Sequence, residues 1–531
     1  MLLKRSKDHL RWVGIVGLLI SILAAILYVN PVWETNDDLT MSMIAHGYGI
    51  ASQPSSNLLF SNVLWGEFAQ LIPEVYGIRG YAIATYLILF VSAAVIFLIV
   101  SDKINSLTAF VMVVLIYVKP VLEPQFTLNA GLLAIASVGA FIEYRQRKSN
   151  SWLYLSALFF LVSYLIRSQE AVLVLFLALP MLLEDIKSVP RLVWLLALVV
   201  LCTMALFWWI DYQAYQNPSW DAYASLNPVR AAFTDFRALR HVIESPGVMD
   251  SSYLSENDLK MIRNWFFVDG VIANPAELRS LLDNSNFAFS RFGNFQNGFN
   301  GLLHLSALYF SLILLAAMVA FFRVASVPLL LGWISLLGIA FLFGIVGRPH
   351  IYRVYYPLAV SLLLIPYFID RRVIISAVKE RLRVGAILLL LLISVASFLS
   401  GYQVKLEQRD VLRGAKFLLD DEPLVVWGGS LPYQTLYSIK EPSSLETLSI
   451  IGLGASTLAP FSASVADAAA GQGVINRLIS SRGILLVATD ANKKLLRAYC
   501  DQHHQPDSYS SNDTVKFRDF KISRTSCTPL N

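Results

Sequence analysis

The sequence predicts an α-helical polytopic membrane protein of about eleven transmembrane helices, completed by a small C-terminal α/β domain on the outer face. Three observations predict it. The 531-residue chain is 56% hydrophobic and only 15% charged, whereas a soluble globular chain carries about a quarter charged residues. Apolar stretches long enough to cross the hydrocarbon core recur along it. The tail from about 403 to 531 changes composition, with apolar runs of strand length at Leu424–Trp427 and at 484–488 and helical patterns between them. The same arithmetic excludes intrinsic disorder, a coiled coil and a collagenous chain. A net charge of +5 over this length gives no case for nucleic acid as a partner.

The candidate spans are 12–30, 80–100, 106–118, 127–142, 152–166, 170–183, 191–210, 301–322, 325–346, 354–369 and 384–402. Two of the short ones, 106–118 and 170–183, also suit tilted or re-entrant segments. No small-residue cleavage site follows the first stretch, which runs into Val29-Asn30-Pro31 and reads as a retained helix. Lys and Arg concentrate on the cytoplasmic side of membrane proteins. With the N-terminus inside, Lys4, Arg5, Lys7, Lys103, Arg145, Arg147, Lys148, Lys187, Arg191, Arg323, Arg371, Arg372, Lys379, Arg381 and Arg383 all fall on that side. A transmembrane module, 1–402, then presents outer loops at 31–79 and 211–300, and 403–531 forms the outer domain. Cys202 lies in an apolar span and reads as a small buried hydrophobe. Cys500 and Cys527 share the outer tail, where an oxidising compartment would let them pair.

The first outer loop opens with Glu34-Thr35-Asn36-Asp37-Asp38, directly after a membrane helix. Thr35 or Asn36 can cap a helix there, with the aspartates suiting its dipole. The alternative is a carboxylate held at the membrane surface as a general base. Met41, Ile44 and Ala45, a break at Gly47-Tyr48-Gly49, and an amphipathic pattern from Phe60 to Leu71 predict two interfacial helices as a platform for the acidic pair. Basic residues that break the orientation rule fall on the same face: Lys119, Arg167, Arg348, His350 and Arg353. Ion pairs such as Lys119 with Glu123 and Arg167 with Glu170 would explain them individually. As a set, ionisable groups at membrane depth mark a site. The fitting chemistry is transfer from a phosphate leaving group. A carboxylate deprotonates an acceptor hydroxyl while Arg and Lys hold the phosphate as charge grows on it. A polyprenyl chain would lie between helices with its phosphate at the basic cluster.

This order of features resembles the GT-C superfamily of integral membrane glycosyltransferases, which includes protein O-mannosyltransferases, the aminoarabinose transferase of lipid A and bacterial O-antigen-modifying glucosyltransferases. The likeness covers the architecture of the whole chain. At residue level it rests on Asp37-Asp38, Leu165-Ile166-Arg167 and Arg348-Pro349-His350-Ile351-Tyr352-Arg353. It implies a bacterial inner-membrane enzyme with a cytoplasmic N-terminus and a periplasmic C-terminal domain. It implies a polyprenyl-phosphate-linked sugar as donor and a glycan, lipid or protein as acceptor. Asp37 or Asp38 would take the catalytic position and Arg348 or Arg353 the donor phosphate.

Several features depart from that pattern or stand outside it. Trp208-Trp209-Ile210-Asp211-Tyr212 is similar to a motif of oligosaccharyltransferases but carries an inserted Ile and lacks its Gly, so it reads as an interfacial aromatic belt. Asp37 with Asp38 could hold one Mg or Mn ion, yet hard cations want about six oxygens. Trp427-Gly428-Gly429-Ser430 and Gly452-Leu453-Gly454 lack the remainder of a nucleotide fingerprint. His503-His504 reads as solvated. In the loop 211–300, Val229, Ala232, Phe233, Phe236, Leu239 and Ile243 follow helical spacing, and Ser255-Glu256-Asn257-Asp258 reads as a capping box. Phe287, Phe289, Phe292, Phe295 and Phe299 suit packing on a membrane surface or stacking on sugars. A polysaccharide polymerase or ligase is the rival enzyme, needing no acidic first loop. A flippase or transporter would show repeated halves and a midplane carboxylate, and neither is seen.

Overall fold

A computed structural model describes residues 2–183, 190–236, 238–287, 295–306, 308–324, 326–348, 352–369, 377–413, 422–440, 448–504, 506–517 and 520–529. His350, Phe289 and Phe292 lie outside the described residues.

The chain is a helical protein with, among the described residues, seven helices long and apolar enough to cross a membrane, or eight if one bent pair counts as a span. They fall in α1 (Leu2–Ala24, continued by a π turn over Ala25–Val29), α4 (Gly80–Lys103), α6 (Phe126–Arg147), α7 (Asn150–Leu182), α8 (Arg191–Ala214), α15 (Val327–Ile345) and α17 (Ala377–Arg413). Between them lie α2 (Asn36–His46), α3 (Val63–Leu71), α5 (Ser106–Leu122), α9 (Asp221–Asp235), α10 (Ala238–Glu244), α11 (Glu256–Arg263), α12 (Pro275–Asn284), α13 (Phe295–Leu303), α14 (Leu308–Phe321) and α16 (Tyr352–Phe368). The expected eleven shrink for local reasons. The helix α5 spans only about 25 Å at the rise of an α-helix. The helix α16 carries Pro357 and Pro366 and is buried from Tyr355 to Phe368, so neighbouring helices rather than lipid surround it. The segment 301–322 is bent by 83° between Phe295–Ser306 and Phe310–Phe321.

The two short spans expected at 152–166 and 170–183 share one helical element whose dihedrals break at Arg167 (φ −156°, ψ 96°). The chain reverses there, as its contacts with α6 show. Ser163 bonds the Ala130 carbonyl and Ser137 the Ser156 carbonyl, so the first limb runs antiparallel to α6. Glu170 sits against Gly131, and Arg145 bonds the carbonyls of Met181 and Leu182, so the second limb runs parallel to it. The break leaves the Leu165 and Ile166 carbonyls without helical partners. The Asn62 amide and the Ser61 hydroxyl satisfy them at 2.9 and 2.8 Å. Arg167 is therefore the tip of a hairpin, held against the loop 31–79.

That loop forms the two expected helices, α2 and α3. Gly47 ends α2 with φ 70°, a conformation open to glycine without strain. The helix α2 does not lie along a lipid surface. Asp38 to Ala45 are all buried, because the C-terminal region covers it from above. Thr40 meets the Tyr433 hydroxyl at 3.2 Å, Asn36 accepts from the Gln434 amide at 3.1 Å, and the Ile450 amide bonds the Gly49 carbonyl.

The C-terminal region is a mixed five-stranded α/β unit of order β2-β1-β3-β5-β4, with β1 Leu424–Trp427, β2 Ile450–Leu453, β3 Ile484–Val487, β4 Ser510–Phe517 and β5 Phe520–Ser526. β2, β1 and β3 are mutually parallel, with β2 at the edge, and β5 is antiparallel to β3 and β4. Strand side chains alternate between faces. Leu424, Val426, Ile450, Leu485 and Val487 join the core of the membrane module. Val425, Trp427, Ile451, Leu453, Ile484 and Leu486 form a second core with α9–α12 from the loop 211–300. Covering on both faces explains why these strands read as unbroken apolar runs. The capping box forms, with Ser255 Oγ accepting from the Asp258 amide at 3.1 Å and Asp258 Oδ2 accepting from the Ser255 amide at 2.8 Å. Asp258 is buried and bonds His503 at 2.8 Å, so His503 is not merely solvated. Cys500 and Cys527 form a disulfide joining α21 (Asp490–His503) to the end of β5. Cys202 is exposed on α8, a helix with no buried residue, so it faces lipid instead of a core.

Candidate functional site

A cavity of about 310 Å³ lies where four regions meet, within the range of small-molecule sites. The start of α2 contributes Asn36, Asp37 and Thr40, and the rest of the first loop adds Ile50, Leu59 and Phe60. The loop 211–300 contributes Arg230, Asp235 and Trp265. Arg348 arrives from just after α15 and Arg353 from the first turn of α16. The far wall is built from the carboxyl ends of β1 and β2, with Gly428, Gly429, Gly452, Gly454 and Ser456, and from Tyr433. Crevices outside the carboxyl ends of parallel strands are common ligand sites in open α/β sheets.

The two adjacent aspartates take different environments. Asp37 faces the cavity and is about a third exposed, with Arg353 donating to its Oδ2 at 2.8 Å. Asp38, at 1% exposure, points the other way. Its Oδ1 accepts from the Phe126 amide at 2.7 Å, in the first turn of α6, and its Oδ2 accepts from Thr35 at 2.9 Å. Burial pushes the Asp38 carboxyl well above the ordinary range, outweighing those hydrogen bonds. The geometry gives Asp38 the job of fixing the end of α6 and leaves Asp37 as the carboxylate open to the cavity. A helical offset of about 100° between neighbours is the cause.

The pair does not make a cation site. Asp38 spends both oxygens on the protein, and Asp37 is matched to Arg353. Among the described residues no group of three or more His, Cys, Asp or Glu could hold a metal ion.

The basic residues separate as well. Arg353 and Arg348 line the cavity, Arg348 sharing Asp235 at 3.5 Å with Arg230 at 3.7 Å. Arg167 stands just behind it. Its guanidinium donates to the carbonyl of the lining residue Phe60 at 3.0 Å and sits 5.3 Å from the Phe126 ring centre. Lys119 does not reach the cavity. It bonds Glu34 at 2.7 Å and Glu123 at 2.9 Å, and Glu123 also pairs with Lys405. Three arginines against two carboxylates leave the lining with one surplus positive charge, and Arg167 adds a second close by.

Sequence reasoning missed Arg230, Asp235, Trp265, Tyr433 and the glycine wall. Each lies at least 170 residues from Asp37, and only the sheet and α9–α12 bring them back. The glycine pairs were visible as the ends of strand-length runs, which is the signal that could have found them. Trp265 adopts φ 71° at the end of α11, a left-handed conformation costing a bulky residue about 1–2 kcal/mol. Arg230 lies 4.7 Å over its ring. Trp208, Trp209 and Tyr212 are exposed on α8, as an interfacial belt requires, and Asp211 accepts from the Val63 amide at 2.8 Å. No protein-family model matches the chain, and neither a curated protein nor a solved structure does.

Proposed function

We propose that this protein is a membrane glycosyltransferase of the GT-C type, moving a sugar from a polyprenyl-phosphate donor to an acceptor on the outer face. The observation that carries the reading is the Asp37–Arg353 pair, at 2.8 Å, on the membrane side of a cavity closed by the α/β region. The donor phosphate sits against Arg353 and Arg348, with Arg167 reinforcing the field from behind. Asp37 accepts the proton of the acceptor hydroxyl as that oxygen attacks the sugar carbon. The bond from sugar to phosphate breaks, and the phosphate leaves with its electron pair, stabilised by the arginines. Drawing Arg353 onto the phosphate releases Asp37 from its ion pair. The disulfide Cys500–Cys527 supports an oxidising compartment, and so the periplasmic side of a bacterial inner membrane.

The test is release of labelled sugar from a polyprenyl-phosphate sugar by the purified protein in nanodiscs. The wild type turns over and Asp37→Asn does not. Full activity in Asp37→Asn would overturn the assignment of the base. No turnover by the wild type with any such donor, alongside transbilayer movement of the lipid, would favour a flippase.

A further inference from the structure

Gly428 needs its left-handed φ of 57°, but two other glycines of the cavity wall are not explained by the protein's own packing. Gly429 has an ordinary φ of −80°, and a Cβ placed on it meets nothing within 4 Å. A Cβ on Gly454 likewise meets nothing, with no left-handed φ to excuse the missing side chain. Glycine at such positions sacrifices about 0.5–1 kcal/mol of conformational entropy. What is absent there is a side chain, and the space left open is what a ligand approaching the main chain would need. Trp265 lines the same cavity, held in a strained backbone conformation.

We infer that Gly428–Gly429 and Gly454–Ser456, together with Trp265, form a binding wall for an uncharged carbohydrate ring. This rests on the reading of the cavity as a sugar-transfer site. The wall has the Gly428–Gly429 peptide groups and the Ser456 hydroxyl for ring hydroxyls and the Trp265 indole, with Arg230 against one face, for the apolar C–H face; its glycine and serine part carries no ionisable side chain. The charged residues gather instead around Asp37, Asp235 and the arginines. A neutral ring on the wall and a phosphate at the arginines divide the cavity between them. The helix α2 is tied to the wall through Asn36 with Gln434 and Thr40 with Tyr433, so a ring seated there is registered against Asp37.

Two sources share this chemistry, the sugar of the donor and a sugar of the acceptor. The full-length protein in nanodiscs is titrated with methyl glycosides of common hexoses, read by saturation-transfer NMR, and with farnesyl phosphate. The expected result is saturable binding of at least one glycoside. Gly429→Val and Gly454→Val should weaken it at least tenfold, with farnesyl phosphate affinity and thermal midpoint unchanged. Trp265→Phe should weaken it less than Trp265→Ala. Competition by a farnesyl-phosphate sugar, but not by farnesyl phosphate, identifies the donor's ring; no competition by either identifies the acceptor's. The inference is overturned if no glycoside saturates, or if both valine variants bind as the wild type does. Loss of farnesyl phosphate binding in the wild type would instead strike the functional reading.

Discussion

The two faces of the helical module are both rich in charge, and they use it differently. On the face away from the cavity, Asp102 pairs with Arg11 and Arg147, and Glu143 pairs with Arg147 and with Lys103 at 3.4 Å. Arg323 and Arg383 close on Glu380 in the same way. On the cavity face, Lys119, Glu34, Glu123 and Lys405 form a comparable closed cluster, yet beside it Asp37, Arg353 and Arg348 border open space. An ionisable residue at membrane depth therefore marks a site only where its partner is replaceable and a cavity adjoins it. Lys119 shows how the same residue type on the same face becomes structural once two carboxylates saturate it.

The sharpest way to break this comparison is Asp37→Asn, which should lower turnover by at least about 100-fold, as loss of a general base does. Purified protein with a lipid-phosphate sugar checks it, with unchanged thermal stability as the control. The neighbouring aspartate should behave in the opposite manner. Asp38→Asn keeps an oxygen for the Phe126 amide and should retain most activity. Asp38→Ala leaves that buried amide unbonded and should cost about 1–3 kcal/mol of stability, measured by unfolding in mild detergent.

A third test concerns acid. Burial, with Arg79 nearby, lowers His46 to about 4, and its neutral Nε2 accepts from the Tyr81 amide at 3.1 Å. The unfolded chain binds this proton from about pH 6.5 downward and the folded chain only near 4. The contribution is thus complete above 6.5 and lost as pH falls toward 4. Between pH 7 and pH 5 it should amount to at most about 2 kcal/mol. The thermal midpoint of the wild type should drop across that interval, and that of His46→Gln should drop less. The smallest effect belongs to the other face. Arg147, whose side chain is 42% exposed, should tolerate Ala with unchanged turnover and under about 1 kcal/mol of destabilisation. A large loss of turnover there would erase the distinction between the faces.

Much of the scaffold was legible because its signals are local. Apolar runs, the break at Gly47-Tyr48-Gly49, the reversal at Arg167 and the Ser255–Asp258 cap depend on neighbours within a few residues. The site was half legible. Asp37, Arg348 and Arg353 stood out as charges against the pattern. Nothing in an adjacent pair of aspartates says which one is swallowed, and nothing in Lys119 says that Glu34 will reach it or that Lys405 will share its Glu123.

By itself the sequence determined a helical membrane chain, a mixed α/β tail and the identity of the charges on the cavity face, because hydropathy and periodicity act along the chain. Tertiary structure alone decided that α9–α12 and the sheet share a core, that Gly429 and Gly454 line one cavity with Asp37, and that Asp38 serves α6. Those outcomes depend on contacts between segments more than a hundred residues apart, or on the direction a helix turns its side chains, and burial in three dimensions sets both.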